Sequence, residues 1–507
     1  MASTPDTADE STGASTSRRT AIALAAAAVG AGSLVALALA PLRWWPLALV
    51  GVVISQAIAE RWFPRARFLP GFLFALGWFA PATGWMWFLT GPGWIVAVLF
   101  FASLHGAATA VASLVPARNA RIVVRACAHA LAEVVRFSFP FGGVPIASLA
   151  IAASPSPAGH LVRLVGPLGT SAWVLLTGAV IVAAVSDTRV RRSLGSRIAL
   201  VVLVLLVPLA RVVPGASDTG NSLRIALVQG GGPQAVLAID SNPRDVVDRH
   251  LAATDTLSPG DDIDVVVWPE NVIDVRTFAG SDVADEIVAQ AKRLDATFLV
   301  GVTESVPNGF TNAQVIVTPD GTIGDRYDKV RRVPYGEYVP LRGLLSAVGA
   351  PVGRVPRDAV AGDGTAAVRI GEHVFAVVIS WETFFAGRAN EGIEAGGSVL
   401  VNPTNGSSYT GTLLQEQQVD VSRLRARETD RWTLQVATTG ITALISPDGD
   451  VIRRTSIGEQ VAFVVDVPLR TGRTVYSHMG DAVLVIALCA GALATALMSR
   501  SRSLRHR

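Results

Sequence analysis

The chain has 507 residues, enough for two or three domains, and 43 Lys+Arg against 40 Asp+Glu give a formal charge of only +3. Half the residues are apolar and mean hydropathy is +0.44, too hydrophobic for a soluble protein of this length. The pI near 9.1 comes from arginines set between apolar runs, which excludes a nucleic-acid-binding reading. Cys127 and Cys489 both sit in apolar stretches, so neither a disulfide framework nor a cysteine metal site is expected, and no cofactor is called for.

Residues 1–19 open with a Ser/Thr/Ala/Asp-rich stretch without periodicity and read as a disordered cytoplasmic tail ending in Arg18-Arg19. Apolar runs follow at 21–40, 44–59, 70–89, 93–115, 122–138, 167–186 and 198–213, and an eighth at 481–498. A spanning helix needs roughly 20 apolar residues, so 20–213 reads as a seven-span membrane domain and the chain as a multi-span α-helical membrane protein of about eight spans. The run 122–138 is the most polar: Arg125, His129, Glu133 and Arg136 fall near one helical face, which is expected to line protein or water rather than lipid.

Arginine asymmetry sets the orientation. With the N-terminus inside, the inner segments carry Arg18, Arg19, Arg61, Arg65, Arg67, Arg118, Arg121 and the cluster Arg189, Arg191, Arg192 and Arg197. The tail 499–507 adds four more arginines, whereas the short outer loops hold little beyond Arg43 and Arg163. Both termini are therefore expected in the cytoplasm and the segment 221–470 outside it.

That segment reads as an α/β domain. Continuously apolar runs at 223–228, 263–268, 297–302, 313–317, 374–379, 399–401, 433–437, 441–445 and 462–465 have the pattern of strands buried on both faces. Helical stretches at 283–293 and 415–431 separate some of them, and Pro-Asp-Gly at 319–321 and 447–449 reads as two hairpin turns.

Only two of the 43 basic residues are lysines, Lys292 and Lys329. Lys329 sits in Tyr327-Asp328-Lys329, just ahead of Val333-Pro334-Tyr335-Gly336-Glu337. A compact ammonium can face one developing oxyanion where a planar guanidinium does not fit. Glu270 closes the strand-like run Val265-Val266-Val267-Trp268-Pro269, at the strand end where open α/β sheets place ligands. Ser380 closes a second such run and Glu382 lies two residues beyond it, either facing the same cavity or pairing with an arginine. Glu337 either holds Lys329 in register or caps a turn.

Together these segments resemble the apolipoprotein N-acyltransferases, the membrane enzymes of the nitrilase superfamily. The resemblance is carried by Ala226-Leu227-Val228-Gln229-Gly230, Trp268-Pro269-Glu270, the run 333–340, Arg425-Ala426-Arg427-Glu428 and Ala437-Thr438-Thr439-Gly440, and by the aromatic-rich stretch from Gly77-Trp78 to Trp85-Met86-Trp87. It implies a nitrilase-like αββα sandwich inserted before the last span. It implies Glu270 as general base, Lys329 at the oxyanion, Glu337 and Glu382 in support, and an acylated nucleophile at Ser380, where the family has cysteine. The implied partners are a phospholipid acyl donor, a diacylglyceryl lipoprotein acceptor and the bilayer. Trp381 for the family's tyrosine, Asn405-Gly406-Ser407-Ser408-Tyr409, and the missing tryptophan near Ala238 are further departures. The alternatives are a catalytically impaired paralogue that binds lipid or lipoprotein, because Ser380 replaces the cysteine, and a membrane-anchored amidase. Eight spans exceed what an anchor needs.

Overall fold

The computed structural model describes residues 8–232, 242–347, 349–407 and 412–505. Seven long helices precede the α/β domain: Ala8–Leu37, Pro46–Trp62, Leu69–Ala82, Gly91–Ala112, Arg118–Ser138, Val162–Ser186 and Leu194–Val212. Val475–Arg505 follows it. Five stretches are long and apolar enough to cross a membrane: Arg18–Leu37, Gly91–Ala112, Pro157–Ser186, Leu194–Val212 and Val475–Ser501. Pro46–Trp62 and Leu69–Ala82 are short and Arg118–Ser138 is polar, so among the described residues five of the eight expected spans pass on length and hydropathy alone.

Two boundaries differ from expectation. The first helix, Ala8–Leu37, extends into the segment read as a tail. The third helix stops at Ala82, one residue past Pro81, and the aromatic run continues as a separate 3₁₀ turn, Gly84–Phe88. The polar face of Arg118–Ser138 lines protein, as expected. Arg121 and Arg125 grip Glu60 at 2.7 and 2.5 Å, and Arg136 pairs with Glu133 at 2.6 Å while donating to the carbonyls of Val144 and Ile146.

The domain is a sandwich of two sheets. The first runs β13-β1-β2-β4-β5-β6 with β3 on β4, built from β1 (Ser217–Gln229), β2 (Val265–Val267), β3 (Ile273–Val275), β4 (Thr297–Val306), β5 (Gly309–Val317), β6 (Ile323–Asp328) and β13 (Val461–Thr471). The second runs β12-β11-β10-β9-β8-β7, from β7 (Ala367–Ile370), β8 (His373–Val377), β9 (Val399–Thr404), β10 (Thr433–Ala437), β11 (Ala443–Ile445) and β12 (Val451–Arg454). The continuously apolar strands bury both faces. Ile225 and Leu227 point between the sheets, against Phe375, Val377, Val401 and Val436. Their neighbours Ala226 and Val228 point outward under the helices Pro243–Thr254 and Asp282–Leu294. On the other side Ala376 and Val378 lie under Ala386–Glu394. Both Pro-Asp-Gly segments join antiparallel neighbours, β5 to β6 and β11 to β12.

The helix Leu414–Thr429 seats the domain on the helix bundle. Asp420 receives Arg43 Nε at 2.9 Å, Gln417 donates to the carbonyl of Ala82, and Arg427 donates to that of Ser154. Arg163, at the head of a membrane helix, pairs with Asp430 at 2.7 Å.

His250, under the first sheet, has no exposed surface; Nδ1 donates to the carbonyl of Val246 at 2.7 Å, and Nε2 has no partner among the described residues. Burial lowers its pKa to about 4, with the Val246 hydrogen bond opposing and Arg249 assisting. An unfolded histidine titrates near 6.5. Between those values only the unfolded chain is protonated, so stability falls as pH drops through this window, by on the order of 3 kcal/mol in all. The melting temperature should therefore drop between pH 7 and 4.5, and His250→Gln should flatten that slope. Equal slopes in both proteins would remove His250 as the cause.

Candidate active site

Three charged side chains meet at the C-terminal ends of the first sheet. Pro269 ends β2 and presents Glu270, which is 3% exposed. The segment packs tightly on β4: a Cβ on Gly301 would stand 2.0 Å from the carbonyl oxygen of Pro269, so only glycine admits it. Lys329 follows β6 directly. Its N–H donates to the carbonyl of Asn312 and its own carbonyl accepts from Gly362, which fixes the backbone beside β5. Glu337 closes a turn in which its N–H donates to Val333 O and Val333 N donates to its Oε2.

Lys329 Nζ stands 2.7 Å from Glu270 Oε1 and 2.7 Å from Glu337 Oε1, and is 2% exposed. Burial disfavours the ammonium, but the two carboxylates outweigh it and raise its pKa, so it stays charged throughout the physiological range. Two carboxylates and one ammonium leave an excess negative charge. Neutral donors offset it: Asn312 Nδ2 bonds both Glu270 Oε1 and Glu337 Oε1, at 2.9 and 3.0 Å, and Asn405 N bonds Glu270 Oε2 at 2.8 Å.

Ser380 begins a 3₁₀ turn, Ser380–Phe384, at the end of the β8 segment, with φ of +52°. That left-handed conformation is unusual for a non-glycine residue and costs on the order of 1–3 kcal/mol. It is the kind of sharp turn that lifts a nucleophile out of a sheet. Thr404 Oγ1 lies 3.1 Å from Ser380 Oγ, and Gln418 Nε2 donates to Thr404 at 2.9 Å. Gln418 Oε1 also lies 3.1 Å from Thr404 Oγ1, so the one Thr404 hydroxyl proton is shared between two acceptors at equal distance, Ser380 Oγ and Gln418 Oε1. Among the described residues no hydrogen bond joins Ser380 Oγ to Glu270 or Lys329. The link runs through Thr404 to the adjacent Asn405, whose N–H reaches Glu270.

Glu382 occupies a different position from the cavity-facing one. It is fully buried, and its carboxylate accepts from the N–H groups of Val330, Arg331 and Ile379 and from Tyr327 Oη, all at 2.8–3.0 Å. The nearest arginine nitrogen, Arg388 Nε, stands off at 3.9 Å. Burial pushes the carboxyl above the usual range, opposed by those backbone donors and by Arg388 and Lys329. Glu382 is a bracket that ties the strand carrying Lys329 to the turn carrying Ser380. Asn312, Thr404 and Gln418 carry no signal in the sequence beyond polarity. Asn312 stands out only as an amide within the mainly apolar 313–317 neighbourhood. Ser408, Tyr409 and Ala238 lie outside the described residues.

Two family models match the chain. The apolipoprotein N-acyltransferase N-terminal domain matches residues 31–180 and the carbon-nitrogen hydrolase domain matches residues 224–475. Among relatives, the Apolipoprotein N-acyltransferase of Mycolicibacterium smegmatis is 30% identical over 307 residues, 58% of this chain and 51% of that protein. That of Geobacter metallireducens is 25% identical over 504 residues, 94% of this chain and 96% of that protein. That of Methylococcus capsulatus is 26% identical over 499 residues, 94% and 96% of the two chains. The chain thus spans about half of the first relative and nearly the whole of the other two.

Glu382→Ala should lower thermal stability sharply, because three backbone N–H groups and a phenol lose their acceptor; each unsatisfied buried donor costs about 1–3 kcal/mol. Ser380→Gly removes the left-handed strain and should leave the melting temperature unchanged or raised. A stable Glu382→Ala protein would refute the bracket.

The helix bundle precedes a two-sheet sandwich, both matched family models lie in that order, and full-length relatives cover both parts: the chain belongs to the apolipoprotein N-acyltransferase family.

Proposed function

We propose that this protein is an acyltransferase that moves an acyl chain from a membrane phospholipid to the α-amino group of a diacylglyceryl-cysteine lipoprotein, through an acyl-enzyme at Ser380. The observation that supports it most is the buried Lys329 clamped between Glu270 and Glu337, beside a nucleophile held in a strained turn. The Ser380 turn also lies on the membrane side of the domain. Trp381, Phe384 and Phe385 belong to the same buried cluster as Trp78, Phe79 and Phe101 of the membrane helices. A lipid ester reaches this edge without leaving the bilayer.

In this reading Glu270 takes the Ser380 proton as Oγ attacks the ester carbonyl. Lys329 faces the oxyanion, at the point where charge develops. The glycerol oxygen leaves with the proton from Glu270, and the acyl chain stays on Ser380 as an oxyester. The lipoprotein amine then attacks that ester. Its proton passes by Glu270 to Ser380 Oγ, and an amide forms. The first step exchanges one oxygen ester for another, and the second makes the more stable amide. When its proton turns from Gln418 Oε1 to Ser380 Oγ, Thr404 stabilises that oxygen as negative charge grows. A carboxylate is a weak partner for a hydroxyl, and general-base assistance is worth roughly 10²–10⁴-fold. The oxyanion contact therefore carries much of the barrier lowering. The extracytoplasmic placement of 221–470, the eight-span path and the cytoplasmic termini belong to the same proposal and rest on the arginine distribution.

A second reading, a silent lipid- or lipoprotein-binding paralogue, draws on one observation: Ser380 Oγ contacts Thr404 rather than a charged base. Intact-mass analysis separates the two. After incubation with phospholipid, the wild-type chain should gain one acyl mass and Ser380→Ala none. Lys329→Ala should slow adduct formation by about 10²–10³-fold. Ser380→Cys should acylate faster, since a thiol ionises more readily. An adduct on neither the serine nor the cysteine form would favour the silent paralogue.

A further inference from the structure

A cavity of 190 Å³ lies where the helix bundle meets the domain. Its bundle side is made by helix ends: Phe137 and Ser138 close Arg118–Ser138, Leu168 follows the Gly166 kink, and Asp481 follows the Gly480 kink. The domain side brings Phe384, Phe385, Val421 and Leu424 together with three arginines, Arg331, Arg388 and Arg425. None of Glu270, Lys329 and Ser380 lines it. Pockets that enclose a whole drug-sized ligand run to about 300–1,000 Å³. This one is smaller, of a size for a headgroup rather than a lipid.

Among the described residues these arginines have donors left unsatisfied. Arg425 is 1% exposed; its Nη2 holds Glu428 at 2.5 Å, but Nε and Nη1 have no partner. Arg388 spends its terminal nitrogens on Glu391, Tyr327 Oη and the carbonyl of Gly364, and its Nε has no hydrogen-bond partner. Arg331 reaches the carbonyl of Gly142 at 3.3 Å, and its Nε is also unpartnered. Buried N–H groups without acceptors each cost about 1–3 kcal/mol. Three guanidiniums around one cavity call for a ligand with several strong acceptor oxygens in a small volume, and phosphate fits that description. The local carboxylates are already engaged: Glu391 by Arg388, and Asp481 by Tyr476 Oη at 2.9 Å. Burial pushes Glu428 up to about 7 against the pull of Arg425, so it only partly neutralises that guanidinium. Glu391 and Asp481 also line the cavity and favour a headgroup that carries its own hydroxyl or ammonium donor over bare phosphate.

We propose that this seam cavity binds the phosphodiester headgroup of a membrane phospholipid, held by Arg331, Arg388 and Arg425, with the acyl chains leaving past the apolar wall into the bilayer. The site is separate from the Ser380 centre and needs none of its chemistry. Its occupant ties the domain to the bilayer beside the turn that carries the nucleophile.

The test uses the full-length Ser380→Ala chain, delipidated in detergent, and titrates short-chain phosphatidylglycerol under native mass spectrometry. Arg331→Gln should weaken one bound lipid at least tenfold. Gly387→Val should do the same by filling the cavity; a Cβ there meets nothing within 4 Å, so this variant keeps the test open if the arginine variant folds poorly. The matching diacylglycerol should not occupy the site, and inorganic phosphate should compete only weakly. Unchanged lipid affinity in both variants, or equal binding of diacylglycerol, would overturn the proposal. Phosphate binding as tight as the lipid would replace it with a free-anion site. Acyl-adduct formation on the wild-type serine is measured separately, so failure here leaves the acyl-transfer reading standing.

Discussion

Everything at the candidate active site depends on one buried ammonium. Lys329 has 2% of its surface exposed and two carboxylates at 2.7 Å. Removing one partner of such a cluster strands a buried charge, which costs about 3–5 kcal/mol. The surrounding structure therefore has to hold all three groups at once. It does so with main-chain bonds on either side of Lys329, the tight approach of Gly301 to Pro269, and the amide of Asn312 across both carboxylates. An arginine could not replace this lysine: its guanidinium is broader and would push Glu270 and Glu337 apart.

The second constraint is the seam between the helix bundle and the sandwich. Glu382 ties the Lys329 strand to the Ser380 turn, and that turn places Trp381, Phe384 and Phe385 among the aromatic side chains of the membrane helices. Ion pairs from Arg43 to Asp420 and from Arg163 to Asp430 fix the domain's height above the bundle. The polar centre and the lipid phase thus meet at one rigid edge. The proposed acyl transfer between two membrane-held substrates needs that juxtaposition.

Much of this architecture was legible in the chain. Strands buried on both faces are continuously apolar, and every such run in the domain became a strand. The strands that escaped notice, β3, β6, β7 and β12, are short or carry polar residues, as in Ile-Gly-Asp-Arg-Tyr-Asp of β6. Such strands have no apolar run to betray them. Glu270 was legible because charge at the end of an apolar strand is conspicuous, Lys329 because it is one of only two lysines in an arginine-rich chain, and Glu337 through the Val-Pro-Tyr-Gly-Glu loop that follows that lysine. The work of Glu382 was not, since nothing local reveals that three donors from the distant segment 327–331 converge on it together with the N–H of Ile379. Asn312, Thr404 and Gln418 were silent for the same reason: neutral hydrogen-bonding side chains acquire a role only when the fold brings a partner. Helix ends were blurred by proline and glycine. Pro81 ended the third helix early, and Gly166 and Gly480 kink two others at φ near +60°.

Whether this charge cluster and Ser380 form a working acyl-transfer centre is read most directly from the mass of lipoprotein N-termini in cells with and without this protein. A working centre gives N-acylated diacylglyceryl-cysteine when the protein is present, a free α-amino group on at least some lipoproteins when it is deleted, and no rescue by Lys329→Ala. N-termini that are identical in all three strains would contradict it.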